Sequence, residues 1–142
     1  MNSPYIYEVE VEWQEERTGL LRSKGLQTLE VSSPPEFHGR SGLWTPEHLF
    51  VASVNSCFML TFLAIAKLAK LAFESFSCYA SGKLERGDYS FKFTEITLRA
   101  KLKLANESDR ERARQILEKA EKKCLVSNSI RPKIYLECDI SA

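Results

Sequence analysis

The sequence has little of what marks a metal or nucleotide site. It contains no C-x-x-C, H-E-x-x-H, G-x-G-x-x-G or G-x-x-x-x-G-K motif, the short patterns that hold zinc, dinucleotides and nucleotide triphosphates. Any chemistry must therefore come from the side chains themselves, and we expect neither a cofactor nor a metal ion.

Neither sign of charge is in excess. Lysine and arginine number 20 against 19 acidic residues, a formal net charge of +1, so electrostatics gives no reason to propose nucleic acid or an anionic membrane as a partner. The N-terminal part shows no apolar stretch behind a basic segment, and four cysteines without close spacing do not resemble a disulfide framework. We expect a protein of the reducing cytoplasm.

A long apolar stretch over residues 45–73 predicts a central helix, with Cys57 near its middle. Thr45 is a favourable N-cap, Pro46 suits the first helical position, and Glu47 places a negative charge at the positive end of the helix dipole. The apolar residues are too continuous for one face of a surface helix. We therefore expect the rest of the chain to cover this helix on most sides.

A membrane span is the alternative interpretation of the same stretch, because residues 49–66 carry no charge and approach the roughly 20 residues that cross a bilayer. Amphipathic strands on both sides of the stretch need an apolar partner, which favours a core helix. Several polar side chains also dilute the stretch: Ser53, Asn55, Ser56 and Thr61.

Alternating apolar and polar residues predict strands on both sides of the helix. Residues 5–13 predict a half-buried strand, and residues 20–31 predict two short strands that complete an antiparallel meander. After the helix, residues 76–80 predict a strand and residues 86–88 a hairpin turn. The next strand changes phase by one residue near Thr94, which predicts a β-bulge.

A second helix is predicted from Ser108, with Glu111 completing a capping box, and residues 134–140 predict a closing strand. The helix has an apolar stripe at helical spacing: Ala113, Ile116, Leu117, Ala120 and Cys124. The order is three short strands, a long helix, two strands, a helix and a strand. This order predicts a single α+β domain over residues 1–142.

The four cysteines divide into two pairs by their surroundings. Cys78 and Cys138 lie in phase with apolar strand residues, so we expect them to pack in the core. Cys57 and Cys124 could also be core residues. However, Cys124 follows two lysines and precedes a polar segment, and nearby positive charge lowers the pKa of a thiol.

Two segments together resemble the OsmC/Ohr family of thiol-dependent peroxidases. They are PEHLFVASVNSCF, in which a cysteine follows Glu47 by ten positions, and AEKKCLVSNSI around Cys124. The resemblance covers nearly the whole chain and implies an OsmC-like fold, in which antiparallel sheets surround the central helix of an intertwined homodimer. It also implies an active site near the subunit interface.

The resemblance further implies a two-cysteine reaction. The cysteine that matches Cys57 attacks an organic or inorganic hydroperoxide, and the one that matches Cys124 forms an intramolecular disulfide with it, which an external dithiol reduces. The glutamate that matches Glu47 pairs with an arginine that stabilises the thiolate, and we assign this role to Arg40 rather than Arg22. An apolar surround favours organic hydroperoxides over hydrogen peroxide, because each buried methylene contributes about 0.8 kcal/mol.

Two other functions fit the same sequence. A non-enzymatic domain could bind a small hydrophobic ligand in the same apolar cleft, with all four cysteines inert. A zinc site built from cysteines and His38 is a further alternative, although the spacing lacks the usual paired ligands.

Overall fold

The computed structural model describes residues 3–142, and the chain divides into two compact units between Phe50 and Val51. The predicted order of elements is confirmed. The strands and helices are β1 (Glu10–Trp13), β2 (Thr18–Arg22), β3 (Leu29–Ser32), α1 (Pro46–Leu68), β4 (Phe73–Arg86), β5 (Phe91–Leu104), α2 (Arg110–Lys123) and β6 (Lys133–Ser141).

The first unit contains the predicted antiparallel meander, in the order β1-β2-β3. The first strand is shorter than the predicted 5–13, because its ladder begins where Glu10 pairs with Arg22, the last residue of β2. The expectation that this strand is half-buried is wrong for the single chain. Its apolar residues are all exposed: Tyr5, Tyr7, Val9, Val11 and Trp13. Alternation predicts which face is apolar, but it does not show what covers that face.

Helix α1 starts as predicted and ends earlier than residue 73. The backbone N–H of His48 donates to Thr45 Oγ1 at 3.0 Å, which confirms the N-cap. At the other end, Lys70 takes a left-handed conformation with φ of 55°, which turns the chain towards β4. The helix is long and apolar enough to cross a membrane by length and composition, a test that core helices of soluble proteins also pass.

Only one stripe of α1 is buried, so the expectation of burial on most sides is wrong for the single chain. The stripe consists of Val54, Phe58, Phe62 and Ala66. The Phe62 ring stacks on Phe76 of β4 with centroids 4.9 Å apart, and Asn55 Nδ2 donates to the Cys78 carbonyl at 3.1 Å. A Cβ on Gly82 would lie 2.6 Å from Val51 Cγ2, so this glycine permits the close approach of α1.

The second unit contains a three-stranded sheet in the order β4-β5-β6. Strands β4 and β5 form an antiparallel hairpin, and the predicted bulge is confirmed, since Lys83 pairs with Glu95 while Leu84 pairs with Phe93 and leaves Thr94 as the extra residue. Strand β6 pairs with β5 in parallel, unlike the antiparallel expectation. The reason is that α2 forms a crossover between the two strands.

Helix α2 buries its predicted stripe but does not start at the predicted cap. Ala113, Ile116, Leu117 and Ala120 are buried, as is Cys124 just after the helix. Ser108 lies inside a 3₁₀ turn, and α2 begins at Arg110 with no side-chain cap. The capping box of Ser108 and Glu111 is therefore wrong, because the 3₁₀ turn moves the N-cap by one residue, to Asp109.

Candidate active site

The second unit brings Cys57 and Cys124 together. Cys57 lies near the middle of α1 and is partly exposed, whereas Cys124 ends α2 with 0% of its surface exposed. Each thiol changes the pKa of the other through a side-chain hydrogen bond. The chain leaves α2 in a tight turn, in which the N–H of Asn128 donates to the Cys124 carbonyl at 3.0 Å.

The surroundings of Cys57 favour its ionised form. Partial burial by itself raises the pKa, but four donors outweigh it, and the pKa lies below the ordinary value of a thiol. These donors are the backbone N–H of Val126, the Cys124 thiol, the Thr61 hydroxyl and the backbone N–H of Leu125. Thr61 Oγ1 lies 4.0 Å from the Cys57 sulfur. Cys57 therefore has the environment of a nucleophilic thiol.

The surroundings of Cys124 act in the opposite direction. Burial raises its pKa, and the nearby charge of Cys57 adds to this effect, while the hydroxyl and backbone N–H of Ser127 partly offset it. A proton shared by the two sulfurs thus stays with Cys124. The pair therefore consists of one partly exposed thiol with a lowered pKa and one buried thiol with a raised pKa.

Cys78 and Cys138 do not form a comparable pair. Both are half-buried, and both align with Ala100, one on each side of the central strand β5. Burial raises the pKa of Cys78 to about 11 and also raises the pKa of Cys138. Their thiols therefore stay protonated. Because both are only half-buried, the expectation that they pack in the core is not confirmed for the single chain.

The structure places Glu47 and Arg40 in the first unit without pairing them. Glu47 lies in the first turn of α1, and its buried Oε1 has no hydrogen-bond partner among residues 3–142. Arg40 lies 3.9 Å from the Glu15 carboxylate instead. In the described part of the chain, the groups that shift the pKa of Cys57 include no arginine. The roles of Glu47 and Arg40 stay predictions.

A third arginine, Arg17, precedes α1 and was not among the residues predicted for the site. Arg17 lies in the turn between β1 and β2, and its side chain makes no ion pair with any residue in the described range 3–142. Arg22, in contrast, lies 2.8 Å from the Glu12 carboxylate. The only feature of the sequence that could have indicated Arg17 as a candidate site residue is its position in a polar turn ahead of Glu47.

The zinc alternative gains no support from the arrangement of possible ligands. His38 is exposed in a loop with φ of 69°. Within the described part of the chain, no three His, Cys, Asp or Glu side chains come close enough to hold a metal ion.

A sequence model of the OsmC-like proteins matches residues 39–139. The chain belongs to the OsmC-like family. The match includes Cys57, Cys124, Glu47 and Arg40, whereas Arg17 lies ahead of it. A search of the curated proteins found no match.

Solved structures agree with membership of the OsmC-like family. An OsmC-like protein of unknown function from Vibrio cholerae is 22% identical with a TM-score of 0.87, covering 95% of this chain and 99% of its own. An organic hydroperoxide resistance protein OsmC from Legionella pneumophila is 26% identical with a TM-score of 0.75, covering 98% and 100%. One from Elizabethkingia anophelis is 25% identical with a TM-score of 0.78, covering 99% of each chain.

Proposed function

We propose that this OsmC-like protein is a thiol peroxidase that reduces organic hydroperoxides through Cys57 and Cys124. The observation that carries the proposal is the pairing of a partly exposed Cys57, whose pKa is lowered by hydrogen bonds, with a buried Cys124 whose pKa is raised. A thiolate is the form that attacks peroxides, and a neighbouring thiol can trap the product.

The reaction has two steps that balance in atoms and electrons. The Cys57 thiolate attacks one peroxide oxygen, the O–O bond breaks, and the alkoxide takes up a proton to leave as an alcohol. Cys57 is then a sulfenic acid. Cys124 loses its proton and attacks the Cys57 sulfur, the S–O bond breaks, and hydroxide leaves as water. Two thiols have lost two electrons to one hydroperoxide, and an external dithiol restores them by disulfide exchange.

Organic hydroperoxides are the proposed substrate class for two reasons. The relatives from Legionella pneumophila and Elizabethkingia anophelis are organic hydroperoxide resistance proteins. In this chain, the side chain of Leu125 is 70% exposed although its backbone N–H helps to hold the Cys57 thiolate. An apolar group at this place favours a hydrocarbon substrate by about 0.8 kcal/mol per methylene that it buries.

The proposed active form is a homodimer. The apolar residues of the first strand and much of α1 are exposed in the single chain, and a second copy is the simplest cover for a self-complementary apolar surface. Glu47 has a buried carboxylate oxygen without a partner, which supports a charged or hydrogen-bonding neighbour for it in the assembled protein.

The test is to add one equivalent of cumene hydroperoxide to the reduced protein and to follow peroxide loss, intact mass and the disulfide map. The expected result is rapid consumption with a disulfide between Cys57 and Cys124. Cys78 and Cys138 serve as internal controls and should stay reduced. No consumption, with all four thiols unchanged, would refute the peroxidase and favour the domain that binds a hydrophobic ligand.

A further inference from the structure

The turn that follows Cys124 contains a buried hydroxyl, that of Ser127, whose burial the fold alone does not explain. Ser127 is only 8% exposed, and among residues 3–142 its buried Oγ has no hydrogen-bond partner at regular geometry. A buried hydroxyl without a partner opposes folding, because it has given up its hydrogen bonds to water. A buried polar group without a partner in a folded protein needs a structural or functional explanation.

The other polar side chains of this turn are satisfied, so the turn does not need the Ser127 hydroxyl to hold its shape. Asn128 Nδ2 donates to the Lys122 carbonyl at 3.0 Å, and Ser129 Oγ donates to the Leu125 carbonyl at 2.7 Å. The backbone N–H of Asn128 closes the turn on the Cys124 carbonyl.

The Ser127 hydroxyl is close enough to Cys124 to change the ionisation of its thiol. Together with the Ser127 backbone N–H, it lowers the pKa of Cys124 against the raising effect of burial. In the reduced pair, Cys124 stays protonated, and its own hydrogen bond goes to Cys57. The hydroxyl therefore gains a full partner only when Cys124 becomes a thiolate.

We infer that Ser127 is a positioning residue for the second step of the reaction: its hydroxyl donates to the Cys124 thiolate and prepares that thiolate to attack the oxidised Cys57. The inference rests on the proposed peroxidase function. It assigns Ser127 no role in the attack on peroxide, because the groups that favour the Cys57 thiolate do not include Ser127.

In chemical terms, the second step needs Cys124 to give up a proton inside a buried site. The proton passes to the hydroxide that leaves the Cys57 sulfenic acid, and the S–S bond forms as the S–O bond breaks. At that moment the negative charge of Cys57 is gone, and with it the repulsion that raises the Cys124 pKa. The Ser127 hydroxyl and N–H are then donors that face the new thiolate.

The experiment compares Ser127→Ala with Ser129→Ala, an identical change in the same turn. Each reduced protein is mixed with one equivalent of cumene hydroperoxide, quenched at intervals, and measured by intact mass for sulfenic acid and disulfide. Formation of sulfenic acid should be unchanged in both variants. Disulfide formation at pH 7 should be about tenfold slower in Ser127→Ala, since a hydrogen bond to a charged group is lost, and its pH midpoint should rise.

Further measurements separate this role from a structural one. The melting temperature of Ser127→Ala should equal or exceed that of the unmodified protein, because the change removes an unpaired buried donor. Ser127→Thr should form the disulfide at the rate of the unmodified protein, because threonine retains the hydroxyl. Native rates and pH midpoint in Ser127→Ala would overturn the inference, as would equal slowing in Ser127→Thr. If the unmodified protein consumes no hydroperoxide, the proposed function itself fails, which is a distinct result.

Discussion

Cys57 and Cys124 are the same chemical group in two environments. Backbone amides from the turn after α2 and the Cys124 thiol donate to Cys57, while burial and the charge of Cys57 keep the proton on Cys124. This difference is the basis on which we propose Cys57 as the attacking thiol. A cation supplied by the assembled protein would add to this effect rather than create it.

We expect the hydrogen bond from the Cys124 thiol to be required for the lowered pKa of Cys57. Cys124→Ala removes this donor and should raise the pKa of Cys57, whereas Cys124→Ser retains a hydroxyl donor and should raise it less. Because a lowered pKa keeps thiolate present at lower pH, the alkylation profile of Cys57 in the unmodified protein should lie at lower pH than that of an ordinary thiol, and Cys124→Ala should move it upward. Iodoacetamide labelling across pH measures this, and overlapping profiles for the three proteins would contradict it.

The three arginines ahead of α1 differ in what they already bind. Arg22 and Arg40 have carboxylate partners, and Arg17 makes no ion pair within residues 3–142. We expect Arg17→Met to lower the rate of hydroperoxide reduction more than Arg40→Met, with Arg22→Met as the control of equal charge change. Stopped-flow rates rank the three variants. The largest loss in Arg40→Met would restore the assignment made from the sequence.

At the scale of elements, the bulge in β5 keeps one apolar face across a change of phase. Thr94 is the extra residue between Phe93 and Glu95, so the residues on each side still face inward together. Deleting Thr94 should leave a regular ladder and a folded protein. Deleting Thr97, in the regular part of the same strand, should turn the side chain of every later residue of β5 to the opposite face of the sheet. We expect this change to unfold the sheet.

Thermal unfolding of the two deletion variants measures this difference. We expect the protein without Thr94 to melt near the native temperature, and the protein without Thr97 to show no cooperative transition. If both deletions abolished the cooperative transition, the bulge itself would be required for folding.

Much of this architecture was predictable, because local patterns carry it. The alternation in β5, the Thr45 cap and the stripe on α2 all depend on residues near one another in sequence. The parallel direction of β6 and the early end of α1 depend on how the chain returns after a crossover or turn, and no local pattern encodes that. The Ser108 cap failed because a 3₁₀ turn competed for the same residues.

The candidate site was predictable to a smaller extent. Two segments of sequence indicated Cys57 and Cys124. However, two of the four donors to Cys57 are the backbone amides of Leu125 and Val126, which no side-chain pattern reveals. Ser127 could be seen only as one polar residue after Cys124. The burial of its hydroxyl, on which the proposed role depends, is a property of the folded turn.

At the scale of the whole molecule, the exposed apolar surface predicts association of two copies. Leu60 on α1 is 59% exposed in the single chain. We expect a dimer in sedimentation at micromolar concentration, and Leu60→Asp should weaken it because a charge would be buried without a partner. Leu26→Asp is the matched control, since Leu26 is also exposed but lies between β2 and β3. A monomer, or a protein extracted only by detergent, would contradict the dimer.

Stopped-flow oxidation of Cys57→Ser and Cys124→Ser by an organic hydroperoxide distinguishes the roles proposed for the two thiols. We expect Cys124→Ser to complete one fast oxidation and then to stop at sulfenic acid or pass to sulfinic acid, because no second thiol traps the product. Cys57→Ser should not react. Fast consumption by Cys57→Ser together with its loss in Cys124→Ser would reverse the roles, and full activity in both variants would rule out the two-thiol mechanism.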